Sequence, residues 1–430
     1  MPRDVTRLRN IGIMTTVDAG NARCRERLIE RICRRAATDG EPLPAERLAP
    51  ARIGTWTPRS GPFADEPTSL ALLEGVARAI DGALLVIDGG RDAPEAAEAP
   101  FREMRGRRVP CIAHIDEVGP ARDLEALLEA LEPALGVIAV PVHVPWHDER
   151  ESGVIDLLDQ RLAVEGPGHD RGLRRVPEQA AELVARMRRR IVDVCAELDE
   201  SILGASSAGL DIGADELARA LRKATLTRGS GVLVVTCGAL RSGRGTGSLL
   251  DALVTYLPSP ADRPPVFGVD PRRSVDVARF AWEGDALSAV VFARSVEPEL
   301  GRLTWLRIYS GVMHVTESVV VLPRGERGRI ERIFVPEATG LVEVEDARPG
   351  AIVCVTGPLD AGIGDTVACV RAPAIIDEAH APAHALPSVP SSPRAATDGF
   401  AAPHSHTVWS VARSLRSSPS STASLRRTRG

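Results

Sequence analysis

Arg9-Asn10-Ile11-Gly12-Ile13-Met14-Thr15-Thr16-Val17-Asp18-Ala19-Gly20-Asn21-Ala22 is a short apolar run that closes in a tight turn and leads into a helical pattern from Cys24 to Arg35. Strand, loop, helix is the order of a phosphate-binding loop, in which backbone N–H groups and a helix N-terminus cradle phosphates. A working loop adds a lysine that neutralises the phosphates and a Ser or Thr hydroxyl that holds Mg²⁺. Here Asn21 stands where the lysine belongs and Ala22 where the hydroxyl belongs. The stretch by itself is therefore also an ordinary strand–turn–helix of an α/β domain, and the residues downstream have to decide.

Working outward, 41–67 is rich in Pro, Gly and charge and has no sustained period, so it reads as a loop. A helix over 68–80 follows, with Leu70, Leu73, Ala77 and Ile80 on one face, and then a buried strand over 83–88. Helices over 94–105 and 124–135 alternate with strands over 109–115 and 137–142, and 232–235 reads as a last strand. This alternation predicts a doubly wound parallel α/β sheet, whose ligand would sit at the carboxyl ends of the strands, where the Asp18-Ala19-Gly20 turn falls. Residues 176–198 predict one long helix and 215–225 a second amphipathic one. Arg186, Arg188, Arg189 and Arg190 lie along the first, a run that reads either as a solvated face or as a contact surface.

The prolines of 258–265 form a stiff linker, after which the pattern changes to short alternating runs at 287–293, 301–308, 318–322, 328–334 and 352–355. Such runs, punctuated by Gly and Pro, predict a small β-barrel. The expected organisation is an α/β domain over 1–260 with a helical insertion at about 151–235, a barrel over 266–371, and a disordered Pro-, Ser- and Ala-rich tail over 372–430.

Composition sets the outer bounds. The 430 residues suffice for two or three domains, and a net charge of -5 gives no global signature of nucleic-acid binding. Seven scattered cysteines without ligand-like spacing read as free thiols of a reducing compartment. With no signal sequence and no apolar run of about 18 residues, a cytoplasmic monomer without membrane contact is expected. Lys223 is the only lysine, a bias toward Arg that does not account for Asn21.

The residues from Arg9 to Gly20 resemble the opening RNIGIMAHIDAG of bacterial elongation factor G, a translational GTPase family. Asp81-Gly82-Ala83 through Asp88-Gly89 is similar to that family's DGAVAVFDG, and Val109-Pro110-Cys111-Ile112-Ala113 to its VPRIAF. Gly153-Val154-Ile155-Asp156-Leu157, Leu221-Arg222-Lys223-Ala224-Thr225 and Leu249 through Pro260 match GVIDL, LRKAT and LLDAVVDYLPSP. In the β region, Gly301 through Gly311 is similar to GRLTFIRVYSG, and Gly364-Asp365-Thr366 to a closing GDT. The similarity covers about 7–370 and implies a P-loop GTPase fold, GTP and Mg²⁺ as cofactors, the ribosome as partner, and Arg302 and Arg307 of the barrel as candidate ribosome contacts.

Carried over residue by residue, the implied chemistry is degenerate. The nucleotide-binding positions fall on Asp18, Ala19, Gly20, Asn21 and Ala22, on Asp116 to Gly119 for the guanine-reading box, and on Gly238, Ala239 and Leu240 for the last nucleotide loop. The box's terminal Asp becomes Gly119, although a shifted register would put Asp116 there; the DTPGH box falls on Pro62-Phe63-Ala64-Asp65-Glu66. Charge-assisted hydrogen bonds contribute roughly 1.5–3 kcal/mol each, so losing the Lys, hydroxyl and Asp contacts together removes on the order of 5–9 kcal/mol, or about three to six decades of affinity. GTP and Mg²⁺ binding is thus expected to be weak or absent, with no catalytic residue and no metal ligand assigned. Three readings follow: a pseudo-GTPase or ribosome-binding module unable to translocate alone, a weak GTP-binding elongation factor, or a decaying duplicate.

Overall fold

The computed structural model describes residues 8–15, 52–56, 77–89, 94–118, 124–148, 152–165, 171–240, 242–337, 340–376 and 409–410. Asp18 to Ala22, Gly119 and the helix expected after the first turn lie outside them, as does the expected loop over 41–67 except Arg52–Trp56, which is a strand because pairing with Leu8–Gly12 overrides its lack of a local period.

The main sheet starts with β1 (Leu8–Thr15), β2 (Arg52–Trp56), β3 (Gly82–Asp88), β4 (Cys111–Asp116) and β5 (Ile138–Pro141). The chain then makes an antiparallel sheet of β6 (His143–His147), β7 (Ser152–Asp156), β8 (Arg161–Glu165) and β9 (Arg171–Arg175), and later returns as β10 (Val232–Gly238). The six main strands run parallel in the order β2-β1-β3-β4-β10-β5. β3 is buried from Gly82 to Ile87 without alternation, because a sheet covered on both faces leaves no solvent side. Among the covering helices, α1 (Pro94–Gly106) and α2 (Leu124–Leu135) follow β3 and β4. α2 buries Leu124, Leu128, Leu131 and Leu135, a 4-3-4 spacing that keeps one stripe against the sheet.

The inserted region carries more strand than expected. β7 to β9 occupy its first part, before α3 (Ala181–Leu198), α4 (Glu200–Ser207) and α5 (Ala214–Leu226). Asp199 caps α4 by accepting from Ser201 N. The arginine run on α3 is not an open face. Arg188 donates to Leu157 O at 3.0 Å, Leu158 O at 2.6 Å and Ile212 O at 2.7 Å. Arg190 reaches Ala139 O and Glu132, and Arg186 makes a two-bond fork to Glu125 at 2.9 and 2.8 Å. Arg186 and Arg190 therefore fasten the insertion to α2 and the main sheet, while Arg188 ties parts of the insertion to one another.

After α6 (Thr246–Tyr256), an eight-stranded antiparallel sheet encloses a separate apolar core that includes Val291, Leu306, Ile308, Val319, Val335 and Val353. The expected strand over 328–334 is two strands, Glu326–Arg329 and Arg332–Glu337, since the chain turns between them. The β domain also runs past its expected end at 371: Ala374 and Ile376 are buried, and Ile375–Ile376 pairs with Val266–Asp270. Within the expected tail, Trp409–Ser410 adds a two-residue parallel strand beside β2. The remaining tail residues lie outside the described set.

The two domains share a buried polar seam. Strand Gly301–Ser310 turns Leu303, Trp305 and Arg307 away from the β-domain core, and Leu303 and Trp305 join the apolar cluster of the α/β domain. Arg307 is buried there: it donates to Asp81 Oδ1 at 2.6 Å and to Ala79 O at 3.3 Å. Asn10 Nδ2 donates to the other Asp81 oxygen at 2.7 Å and to Gly350 O at 3.0 Å. Tyr309 OH closes the seam on Arg78 O at 2.7 Å.

Candidate functional site

The carboxyl ends of β3, β4 and β10 form the described part of the expected ligand edge. Parallel register sets Asp88 opposite Asp116, so two strands end in a carboxylate at the same level. Glu117 follows at φ +53°, a left-handed conformation that non-glycine residues seldom adopt. Its N–H donates to Gly238 O at 2.8 Å, while Gly89 N donates to Asp116 O at 2.7 Å. Backbone bonds thus tie the three strand ends together.

The Gly238-Ala239-Leu240 loop is held as tightly. Leu240 N donates to Asp116 Oδ1 at 2.8 Å, and Ala239 and Arg244 exchange backbone bonds across a small hairpin. Two glycines are required by space. A Cβ on Gly238 would lie 2.7 Å from Arg244 O, and one on Gly245, at φ +78°, would lie 2.6 Å from Val154 Cγ2. Gly245 then opens α6.

Burial pushes the Asp116 carboxyl up to about 6; the Leu240 hydrogen bond opposes this and the negative charges of Glu117 and Asp88 add to it. Behind the rim lies His114, fully buried. The Thr236 hydroxyl donates to Ala113 O at 3.1 Å, so it accepts from His114 Nδ1–H at 2.8 Å. His114 Nε2 has no partner among the described residues. Burial, reinforced by His143, holds this imidazole down to about 3, so the ring is neutral near pH 7.

Of the predicted site residues, the structure brings Asp116, Gly238, Ala239 and Leu240 together, whereas Asp18, Ala19, Gly20, Asn21, Ala22 and Gly119 lie outside the described residues. Arg302 is exposed on the β domain, but Arg307 belongs to the buried seam and is no surface contact. The sequence reading put Glu117 inside the guanine-reading box but missed Asp88 as a member of the rim. The signal was present in two apolar strands that each end in Asp. Among the described residues no group of three His, Cys, Asp or Glu is arranged to hold a metal ion. In the described part of the rim Asp116 already serves the backbone of its own loop, while the phosphate-loop positions Asp18 to Ala22 lie outside the described residues.

No family model matches the chain. Elongation factor G from Thermotoga petrophila is 32% identical over 398 residues, covering 87% of this chain and 57% of the relative. The chain is a homologue of elongation factor G. The factor from Thermotoga maritima shows the same identity and coverage, and that from Thermotoga neapolitana is 31% identical over 399 residues. The chain thus spans just over half the length of these relatives. A solved protein from Thermus thermophilus superposes with a TM-score of 0.64 at 20% identity, over 86% of this chain and 55% of that one. That likeness supports the fold: a parallel α/β domain followed by antiparallel β structure. Among the described residues no helix is long and apolar enough to cross a membrane.

Proposed function

We propose that this elongation-factor-G homologue is a pseudo-GTPase that docks on the ribosome through a fixed surface instead of a nucleotide-switched one. The observation that carries the reading is the rim itself. Its backbone scaffold is intact, from Asp116–Leu240 to the Gly245 start of α6, while its charges are Asp88, Asp116 and Glu117. Together with Asn21 and Ala22 in the phosphate loop, this leaves the frame of a nucleotide site without its phosphate and metal contacts. Translational GTPases of this kind order their switch loops through γ-phosphate and Mg²⁺. A surface that lacks those contacts has one docking state.

The test is co-sedimentation with ribosomes across a salt series, with and without GTP and Mg²⁺. The expected result is pelleting at low salt that falls steeply with ionic strength and is indifferent to nucleotide, because a ligand without differential affinity shifts no equilibrium. Pelleting that depends on GTP and Mg²⁺ overturns the pseudo-GTPase reading in favour of a weak GTP-binding elongation factor. No pelleting at low salt overturns docking and leaves the decaying duplicate.

A further inference from the structure

At the opposite end of the main sheet from the rim lies a cleft of about 200 Å³ between the α/β domain, the proline linker and the β domain. Six of its lining residues are arginines and two are aspartates. Three of the arginines are already matched: Arg307 to Asp81, Arg107 to Glu103 at 2.6 Å, and Arg279 to Asp285 at 3.4 Å. The second aspartate, Asp262, is taken by Arg222 at 2.9 Å and by its own Ser259 cap. Arg108, Arg228 and Arg263 are left with no carboxylate among the described residues; Arg263 donates only to Ile80 O at 2.8 Å.

Three guanidinium groups facing one small space repel one another. Arg228 shows the cost: burial and the charges of Arg108 and Arg263 all lower its proton affinity. Arg108 adds a second cost. It sits at φ +62°, just past the end of α1, at a position where a glycine would be free of strain. Arg228 likewise sits just beyond α5. The negative ends of two helices explain how the unliganded cluster is tolerated, since each attracts a cation. They do not explain why the three charges converge on a cavity. One wall is stiff, formed by Pro258, Pro260, Pro264 and Pro265 of the linker. A stiff wall lowers the ordering cost of binding.

We propose that this interdomain cleft is a binding site for a linear oligophosphate anion, held by Arg108, Arg228 and Arg263. Three unmatched positive charges call for an anion of about three negative charges, and the planar guanidinium fork pairs with phosphate oxygens two at a time. Pyrophosphate and tripolyphosphate have that charge. The site is independent of Mg²⁺, of the phosphate loop and of the pseudo-GTPase reading, because none of its residues lies at the nucleotide rim.

The test is calorimetric titration of the full chain with tripolyphosphate, without divalent cations. Arg228→Ala removes an exposed charge, and Arg108→Gly removes a charge while relieving backbone strain, so neither variant is expected to compromise folding. Wild type is expected to bind one tripolyphosphate, each variant at least about tenfold more weakly, and Arg302→Ala, outside the cleft, like wild type. Absence of binding by wild type overturns the proposal, as does equal weakening by Arg302→Ala or unchanged binding by both cleft variants. A single-stranded RNA oligonucleotide that binds where tripolyphosphate does not also overturns it, since the site would then read a polymer.

Discussion

The two ends of the parallel sheet treat charge in opposite ways. At the amino end, Asp81 is buried and both its oxygens are used, one by Arg307 and one by Asn10, across a seam that joins two domains. At the carboxyl end, Asp116 is held by the backbone N–H groups of Leu240 and Glu117, beside the carboxylates of Asp88 and Glu117. The first arrangement serves the fold, and its carboxylate is neutralised on the spot. The second sets three carboxylates close together at the edge where this fold would place a ligand. The difference separates a charge that holds the architecture from charges that the architecture does not use to join its domains.

The strongest way to break that contrast is to unpair the seam. Arg307→Ala leaves Asp81 charged and buried with one partner fewer, which costs about 3–5 kcal/mol in buried pairs of this kind. Urea unfolding is expected to show a loss of this size. Because the seam joins the domains, limited proteolysis of the variant should release the β domain from the α/β domain under conditions that leave wild type whole. A loss below about 1 kcal/mol would mean that the pair is not buried in solution.

The rim predicts the opposite sign. A carboxyl held at about 6 against an ordinary 3.8 binds its proton more tightly in the folded chain. Its stabilisation is complete below about pH 3.8 and is lost as pH rises through 6, so at neutral pH the charged form is a liability of up to about 3 kcal/mol. Asp116→Asn keeps an acceptor for Leu240 N and removes the charge. Its expected effect is a gain of about 1–3 kcal/mol at pH 7 that disappears near pH 4, measured by urea unfolding at both pH values.

His114 sharpens the comparison between rim and interior. Its folded value lies near 3, below the ordinary 6.5, so its stability contribution is fully present above pH 6.5 and is lost progressively as pH falls toward 3. The slope is about 1.4 kcal/mol per pH unit. Asp116 works against it below pH 6, which makes the difference between wild type and His114→Phe the useful quantity. The variant should lose less stability than wild type between about pH 6.5 and 5.5, by about 1 kcal/mol. Equal slopes would show that the ring is hydrated.

The architecture was legible because parallel strands announce themselves as unbroken apolar runs, as in Ala83–Ile87, with amphipathic helices between them. The short strands β8 and β9 were not, since Arg161-Leu162-Ala163-Val164-Glu165 and Arg171-Gly172-Leu173-Arg174-Arg175 hold too few apolar residues to establish a period. α4 was missed for a similar reason: its eight residues include Gly204, Ser206 and Ser207, poor helix formers. Arg307 misled because alternation marks it as outward-facing, and outward from the β core here means inward to the seam. The hint lay in its neighbours, since Leu303 and Trp305 share its face and two large apolar residues on an outer face call for a partner surface. Its carboxylate lies 226 positions away, where no local pattern can point. The rim was half legible: the loop residues could be placed by motif, but the acidic character depends on strand register, which brings Asp88 and Asp116 level.

Arg302 is the smallest and most discriminating case, because it separates folding from docking. Its neighbour Arg307, on the same strand, is buried in an ion pair, whereas Arg302 is exposed and makes no hydrogen bond or ion pair among the described residues. An exposed, unpartnered arginine contributes little to stability, so Arg302→Ala should change unfolding free energy by less than about 0.5 kcal/mol. If it forms part of a fixed electrostatic docking surface, the same change removes one phosphate contact. The salt dependence of ribosome pelleting should then become shallower by roughly 0.7–0.9 in log–log slope, with binding weaker at every salt concentration tested. A variant that folds like wild type and pellets with an unchanged slope would exclude Arg302 from the surface, and with it the idea that this strand carries one residue for the fold and one for the partner.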